Sequence, residues 1–306
     1  MENKKTKTAL INIINKKYPK TPQIDQSSLF FAMSDYGFRN NLYESPLEIA
    51  VHFAISTFNT PDRDNSKRLI THAISLNMIY DRLALSDGEK SSREIAKVKD
   101  ALGALANNDI ISINYLSEDQ NNRSLFMVTQ SMTKTNNEER RTFLTVVTGV
   151  YYKLLDVQSD VKRINLIACY CAIASRIYMY KAPKKSLESQ TSQSELNALE
   201  KSVNFSKLES IGDLIGGRSR KTVAGYIEEL SDLNIIAYYK VAMDGYRSGQ
   251  FKYHISKYEE RSNLKSYLTY KIEFYNQEFT IIDIFDDSVV ADSETPEGDT
   301  DTLSNL

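Results

Sequence analysis

Two stretches of this chain carry the same apolar pattern at a fixed offset of 125 residues, and nothing else constrains the fold as strongly. Val98, Leu102, Leu105, Ile110 and Ile111 fall on Val223, Ile227, Leu230, Ile235 and Ile236 without a gap. Arg93 falls on Arg218, Asn122 on Arg247 and Phe126 on Phe251. The first three positions of each set are spaced as one face of a helix, and the last two open a strand-like run. Identity between the copies is low, so the pattern repeats and the residues do not. A chain of 306 residues holds about two domains of roughly 150 residues each, which suits a duplicated unit.

The elements around each copy follow from local signals. Ser45 and Pro46 form an N-cap and first helical position, ahead of Leu47, Ala50, Val51, Ala54, Ile55 and Phe58 on one side. A second helix is predicted from about Ser66 to Leu83, carrying Leu69, Ile70, Ala73, Ile74 and Asn77. A third runs from Ser92 to Asn107 with Ile95, Val98, Leu102 and Leu105 as its stripe. "DIISINYL" and "RSLFMVTQS" read as strands around the turn "SEDQNN". Asn137 is expected to cap a helix over "EERRTFLTVVTGVYYKLL", and the apolar run from Ile164 to Tyr180 to form a buried helix. Ser206 to Gly216 reads as a short helix, Gly216-Gly217 as a tight turn and Ser219 to Asp232 as the next helix. The strands "NIIAYYKVAM" and "QFKYHISKY" follow, joined by the turn "DGYRSG".

Charge is segregated. The formal net charge is −2, but residues 283–306 hold eight acids and no base, and without them the balance becomes +6. The first twenty residues hold six lysines against Glu2. A basic arm and an acidic tail therefore flank the body, the first suited to nucleic acid and the second to partner proteins. Cys169 and Cys171 lie two apart in a helix and make neither a disulfide framework nor a zinc spacing. His52, His72 and His254 are scattered, and Asp283, Asp286 and Asp287 read as part of a solvated tail, so no metal or other cofactor is expected. "GGRSRKT" has Arg220 where a phosphate loop needs its second glycine. The N-terminus is too polar for a secretory leader, and the 17-residue apolar run, broken by Asn165 and Arg176, is short for a membrane span. A cytoplasmic protein with no membrane association and no catalytic constellation is the expectation.

The most distinctive segment is "GRSRKTVAGY", Gly217 to Tyr226. It puts Arg218, Arg220 and Lys221 where a helix begins, the positive end of its dipole, at roughly 0.3–1 kcal/mol of unfavourable interaction per exposed base. Glu228, Glu229 and Asp232 lie toward the other end, again against the dipole. Helix, turn, helix and two-stranded wing make a winged helix-turn-helix arrangement, whose second helix enters the DNA major groove by its first turns. Arg218, Ser219, Arg220, Lys221, Thr222 and Tyr226 are the candidate reading residues, with Arg247 and Lys252 on the wing meeting flanking backbone. In the first copy Arg93 and Lys97 hold the equivalent place, intermixed with Glu94 and Asp100. That copy is expected to dimerise or to make auxiliary DNA contacts.

"SKLESIGDLIGGRSRKTVAGYIEELSDLNIIAYYKV" resembles the winged-helix segments of replication initiators and related regulators from plasmids and phages of Gram-positive bacteria. The likeness is close over Ser206 to Tyr258 and, as a tandem arrangement, extends over residues 45–262. It implies an α+β, mainly α fold of two tandem winged helix-turn-helix domains. The expected organisation is a basic arm (1–40), a first winged-helix domain (41–135) and a second, DNA-reading one (136–262) with a polar insertion (182–202). A C-terminal extension (263–282) and a disordered acidic tail (283–306) complete it. The implied function is non-catalytic, sequence-specific binding of double-stranded DNA at repeated origin sites, with recruitment of host helicase or initiator proteins and a possible homodimer. A transcriptional regulator and a protein-interaction module that binds no DNA are the alternatives.

Overall fold

Four serines each start a helix by the same device, a side-chain oxygen accepting a backbone N–H of the first turn. Ser45 caps the helix that starts at Pro46, Ser75 the one at Leu76, Ser159 the one at Asp160 and Ser219 the one at Arg220. The computed structural model describes residues 11, 12, 14, 17, 30–61, 69–71, 73–85, 92–118, 121–131, 133–134, 141–177, 199, 203, 207–243, 252–274 and 279–282. Their elements in chain order are β1 (Phe30–Ser34), α1 (Tyr36–Arg39), α2 (Pro46–Ser56), β2 (Asn59–Pro61), β3 (Leu69–Thr71), α3 (Leu76–Arg82), α4 (Ser92–Asn107), β4 (Ile111–Tyr115), β5 (Phe126–Gln130), β6 (Thr133–Lys134), β7 (Arg141–Val147), α5 (Thr148–Leu155), α6 (Asp160–Ala174), α7 (Leu208–Leu214), α8 (Arg220–Asp232), β8 (Ile236–Met243), β9 (Lys252–Lys257), α9 (Arg261–Phe274) and β10 (Phe279–Ile282). The fold is α+β, mainly helical, with small antiparallel sheets.

The 125-residue offset recurs in three dimensions. α4 ends at Asn107 and α8 at Asp232; β4 begins at Ile111 and β8 at Ile236. The turn between helix and strand is built alike in both copies. Asp109 and Asn234 both take the left-handed conformation, at φ 55° and 52°, which asparagine and aspartate tolerate better than most residues. Ile110 N donates to Leu105 O at 3.0 Å, and Ile235 N to Leu230 O at 2.9 Å. All ten apolar positions of the repeat are buried. The copies differ in the strand added to each hairpin. β3 pairs with β5, giving the order β2-β3-β5-β4, whereas β10 pairs with β8, giving β10-β8-β9.

Two predicted elements are corrected. The helix expected from Ser66 to Leu83 begins only at Leu76; Leu69–Thr71 is a strand, held by Thr71 Oγ1 accepting from Val128 N at 2.9 Å. The helix expected after Asn137 begins at Thr148, because Arg141–Val147 pairs with β1, Phe30 opposite Val147 and Ser34 opposite Phe143. Asn137 itself lies outside the described residues. Thr142, Thr145, Val146 and Val147 are β-branched, and a distant partner strand turned that preference into sheet. Residues 30–40, within the expected arm (1–40), therefore pack on the body, through the stretch "FFAMSDYGF". Met33 is fully buried, Ser34 N donates to Gln130 Oε1 at 3.0 Å, and Asn59 Nδ2 donates to Ala32 O at 2.7 Å. The expected extension past residue 262 supplies most of α9 and all of β10, which complete the second sheet. The insertion 182–202, apart from Leu199, and the tail 283–306 lie outside the described residues.

α6 is the central element. From Asn165 to Ala174 every side chain is buried, including both cysteines. A helix apolar on all sides needs neighbours on all sides, and α6 packs on α2, α5, α7, α8, β7 and β9. Among the described residues no helix is long and apolar enough to cross a membrane. Near the start of α6, Arg163 is buried and binds across the repeat. Its guanidinium donates to the carbonyls of Leu83 (3.2 Å), Ala84 (2.5 Å) and Val157 (2.5 Å) and to Asp160 Oδ1 (2.9 Å). It thereby fills the carbonyls left open where α3 ends, at the negative end of that helix. Arg163→Ala leaves these acceptors without a donor and is expected to cost roughly 3 kcal/mol, read as a shift of the denaturant midpoint. Arg163→Lys should recover only part of it, since an ammonium cannot span the set.

Both units bury ionisable groups. Burial pushes His52 and His254 down to about 4, so both are neutral at pH 7. Glu260 follows β9, and burial, aided by Glu259 and opposed by Lys257, pushes its carboxyl from 4.5 up to about 7. A carboxyl raised on folding costs nothing below its unfolded pKa and its full penalty above the folded one. The native state holds the extra proton between those limits, so this group lowers stability as pH rises from 4.5 to about 7. Glu260→Gln should therefore match the wild type at pH 4.5 and exceed it by about 3 kcal/mol above pH 7 in paired denaturation curves.

Candidate nucleic-acid interface

α7 and α8 meet at a turn whose backbone conformation favours glycine. Gly216 and Gly217 both take positive φ, 79° and 73°. Gly212, within α7, lies directly under the Arg218 carbonyl, and a Cβ there would overlap that oxygen. Arg218 N in turn donates to Gly212 O at 3.0 Å. Gly216 abuts Glu44 O and the Pro46 ring at the start of α2, which seats the turn against the first unit. Val223, Ile227 and Leu230 bury one face of α8 and leave its opposite face outward. A Cβ on Gly225 would meet nothing within 4 Å, so that glycine lies on an open face rather than at a packing contact.

The basic residues stand around the start of α8. Arg218, Ser219, Arg220 and Lys221 are exposed, Thr222 and Tyr226 partly buried. No acid occupies the first turn. Ser219 and Thr222 are engaged in the cap: Ser219 Oγ accepts from Thr222 N at 3.2 Å and pairs with Thr222 Oγ1 at 2.8 Å. Their hydroxyls hold the helix start. Arg220 Nη1 lies 3.8 Å from Glu209 Oε1, with both side chains about half exposed. A pair so exposed contributes only about 0–1 kcal/mol, so a phosphate could replace the carboxylate at little cost. Arg218 Nη2 donates to Asn165 Oδ1 at 3.2 Å, and Asn165 Nδ2 donates to Val161 O at 2.7 Å, which orients the amide. Burial pushes the Tyr226 phenol up, against the pull of Arg218.

The hairpin adds one cation, Lys240, to those singled out in the sequence. Lys240 on β8 is pushed down by burial and further by Arg220, while Glu228 opposes both. Tyr253, opposite Lys240 on β9, is pushed up by burial and by Glu228 and pulled back by Arg220. α8 packs against β8, the strand that carries Lys240. Lys252 opens β9 and is partly buried; Arg247 lies outside the described residues. The signal for Lys240 was present in the strand alternation, which puts it on the same sheet face as Tyr238.

The first unit's basic pair stands apart. Arg93 and Lys97 are exposed one turn apart on α4, and Glu94 is drawn back by the Tyr80 hydroxyl, which donates to Glu94 Oε2 at 2.9 Å. The far end of α4 lies near the α7–α8 turn. There Asn108 Nδ2 donates to Leu42 O at 3.0 Å, close to the Glu44–Pro46 stretch that Gly216 touches. Arg93 sits at the opposite end of the helix, roughly 20 Å away at 1.5 Å per residue. The structure therefore forms two separate basic groups, one per unit. Among the described residues no cluster of three or more His, Cys, Asp or Glu side chains suits a metal.

Comparison with protein-family models, with curated proteins and with solved structures finds no match. The close approach at Gly212 is the most easily tested feature of the site. Gly212→Ala should push the turn off α7 and destabilise the protein by roughly 1–3 kcal/mol, whereas Gly225→Ala should be neutral or stabilise by up to about 1 kcal/mol. Thermal melts of the two variants compare them directly.

Proposed function

We propose that this chain is a sequence-specific double-stranded DNA-binding protein built on two tandem winged helix-turn-helix units. Its role is most consistent with a non-catalytic replication initiator of plasmid or phage type. The observation that carries the reading is the start of α8: exposed Arg218, Arg220 and Lys221 on a capped helix with no acid in its first turn, presented by a glycine turn. Holding positive charge at the positive end of a helix dipole is locally unfavourable, and an anion relieves it. A helix seated in a groove about 12 Å wide brings those side chains to base edges and phosphates.

On this reading the second unit reads DNA. The first unit, with Arg93 and Lys97 on a separate face, dimerises or contacts a second stretch of duplex. The acidic tail serves host helicase or initiator proteins. A transcriptional regulator shares every one of these features, and the arrangement of sites separates the two. Footprinting the DNA that flanks the gene should protect direct repeats for an initiator and a palindrome over a promoter for a regulator. In the same assay, Arg220→Ala with Lys221→Ala should weaken binding and flatten the dependence of log K on log salt by about 0.9 for each phosphate no longer neutralised. Unchanged affinity and slope in that double variant would refute the assignment of α8, and protection of no sequence would favour a protein-interaction module.

A further inference from the structure

Arg218, just ahead of α8, is held by the core of the protein. Asn165 lies on α6 and is only 7 % exposed. Its Nδ2 donates to Val161 O at 2.7 Å, which fixes the amide, and its Oδ1 accepts from Arg218 Nη2 at 3.2 Å. The Arg218 backbone is fixed as well. Its N–H donates to Gly212 O at 3.0 Å, and its carbonyl lies against Gly212. Gly217 precedes it at φ 73°, and Ser219, the cap of α8, follows it. Arg218 is thus an exposed residue held at both ends, at its peptide by α7 and at its guanidinium by α6.

The neighbouring cations are set differently. Arg220 Nη1 stands 3.8 Å from Glu209 Oε1, and Lys162 Nζ stands 3.0 Å from Glu229 Oε1 on the other end of α8. Those partners are exposed carboxylates, and each offsets the charge it meets. Asn165 is neutral, so it orders the Arg218 fork without offsetting its charge, and it takes one of several N–H donors. A guanidinium fixed in direction presents paired donors to a planar acceptor edge, and the freedom it would lose on binding is already lost. Guanine O6 and N7 form such an edge in the major groove. A phosphate asks less of geometry, because a mobile positive charge satisfies it.

We propose that Arg218 reads a guanine through its O6/N7 edge, that Asn165 is the positioning residue that sets its pose, and that Arg220 and Lys221 contact phosphates. The proposal rests on the DNA-binding reading above and gives the cations of one helix start separate roles. Asn165 follows soon after Arg163, whose guanidinium binds the Leu83 and Ala84 carbonyls of the first unit. The helix that joins the two units therefore also directs the reading side chain.

The test uses the full chain on duplexes carrying the footprinted site, with its base pairs exchanged one at a time, over a salt series. The wild type should discriminate against loss of one G·C pair by roughly 5- to 150-fold, the range of a bidentate base contact. Arg218→Lys keeps the charge and removes the fork. It should abolish most of the discrimination at that pair and keep the slope of log K against log salt. Asn165→Ala should lower discrimination at the same pair, again with the slope kept, whereas a general loosening of α8 would lower it at every exchanged pair. Should the alanine variant melt too low to assay, Asn165→Leu fills a similar volume without an acceptor. Arg220→Ala with Lys221→Ala should instead weaken binding to all the duplexes alike and flatten the slope. Wild-type discrimination in Arg218→Lys overturns the assignment of Arg218. Wild-type discrimination in the Asn165 variants overturns the role of Asn165 alone. A wild-type chain that binds no duplex, or all sequences alike, overturns the reading on which the proposal rests.

Discussion

The structure depends on the burial of one helix. α6 is apolar around its whole circumference from Leu166 to Ala174, and it is stable only where something covers every face. The first unit covers it through α2, the second through α7, α8 and β9, and the strand β7 lies against it as well. A single apolar core therefore runs from Met33 to Ile255 through both copies of the repeat. Arg163 reinforces this arrangement by closing the end of α3 with a side chain from α6. The two units are in consequence parts of one packed body, and the turn that presents α8 is seated against the segment ahead of α2.

That seating gives the basic helix start its meaning. An exposed helix with bases at its N-terminus and acids toward its C-terminus is electrostatically disfavoured on both counts. Here the backbone is held independently of those charges, by the Ser219 cap, the Gly212–Arg218 contact and the buried stripe of Val223, Ile227 and Leu230. The cost of those charges is offset by packing elsewhere. Asn165 extends the logic from the core outward, since an amide fixed by its own helix orients Arg218.

Much of this was legible in the sequence where the signal was local. α4 spans the predicted residues, the start and end of α8 lie within one residue of the expected bounds, and both hairpins pair as expected, although the tip of the second lies outside the described residues. The 125-residue repeat held down to the left-handed residue in each helix–strand turn. The errors share one cause. Leu69–Thr71 and Arg141–Val147 carry apolar spacing that suits a helix, but each became a strand because its partner lies far away, β7 pairing with residues more than a hundred positions earlier. The same limit hid parts of the candidate site. Gly212 meets the Arg218 carbonyl, and Asn165 the Arg218 guanidinium, only through tertiary packing.

The central claim is that the first turn of α8 lies in a DNA groove, and it can be measured where it occurs. Both native cysteines are buried; burial pushes the Cys169 thiol up to about 12 and the Cys171 thiol up as well, so neither competes for a thiol-directed reagent. Lys221→Cys then offers a unique attachment point for an iron chelate that cleaves nearby DNA. Cleavage confined to a few adjacent nucleotides within the protected site, and absent when the chelate is carried by Asp232→Cys at the other end of the helix, is the result this account predicts. Equal cleavage from both positions, or none from either on a duplex that the protein protects, would contradict it.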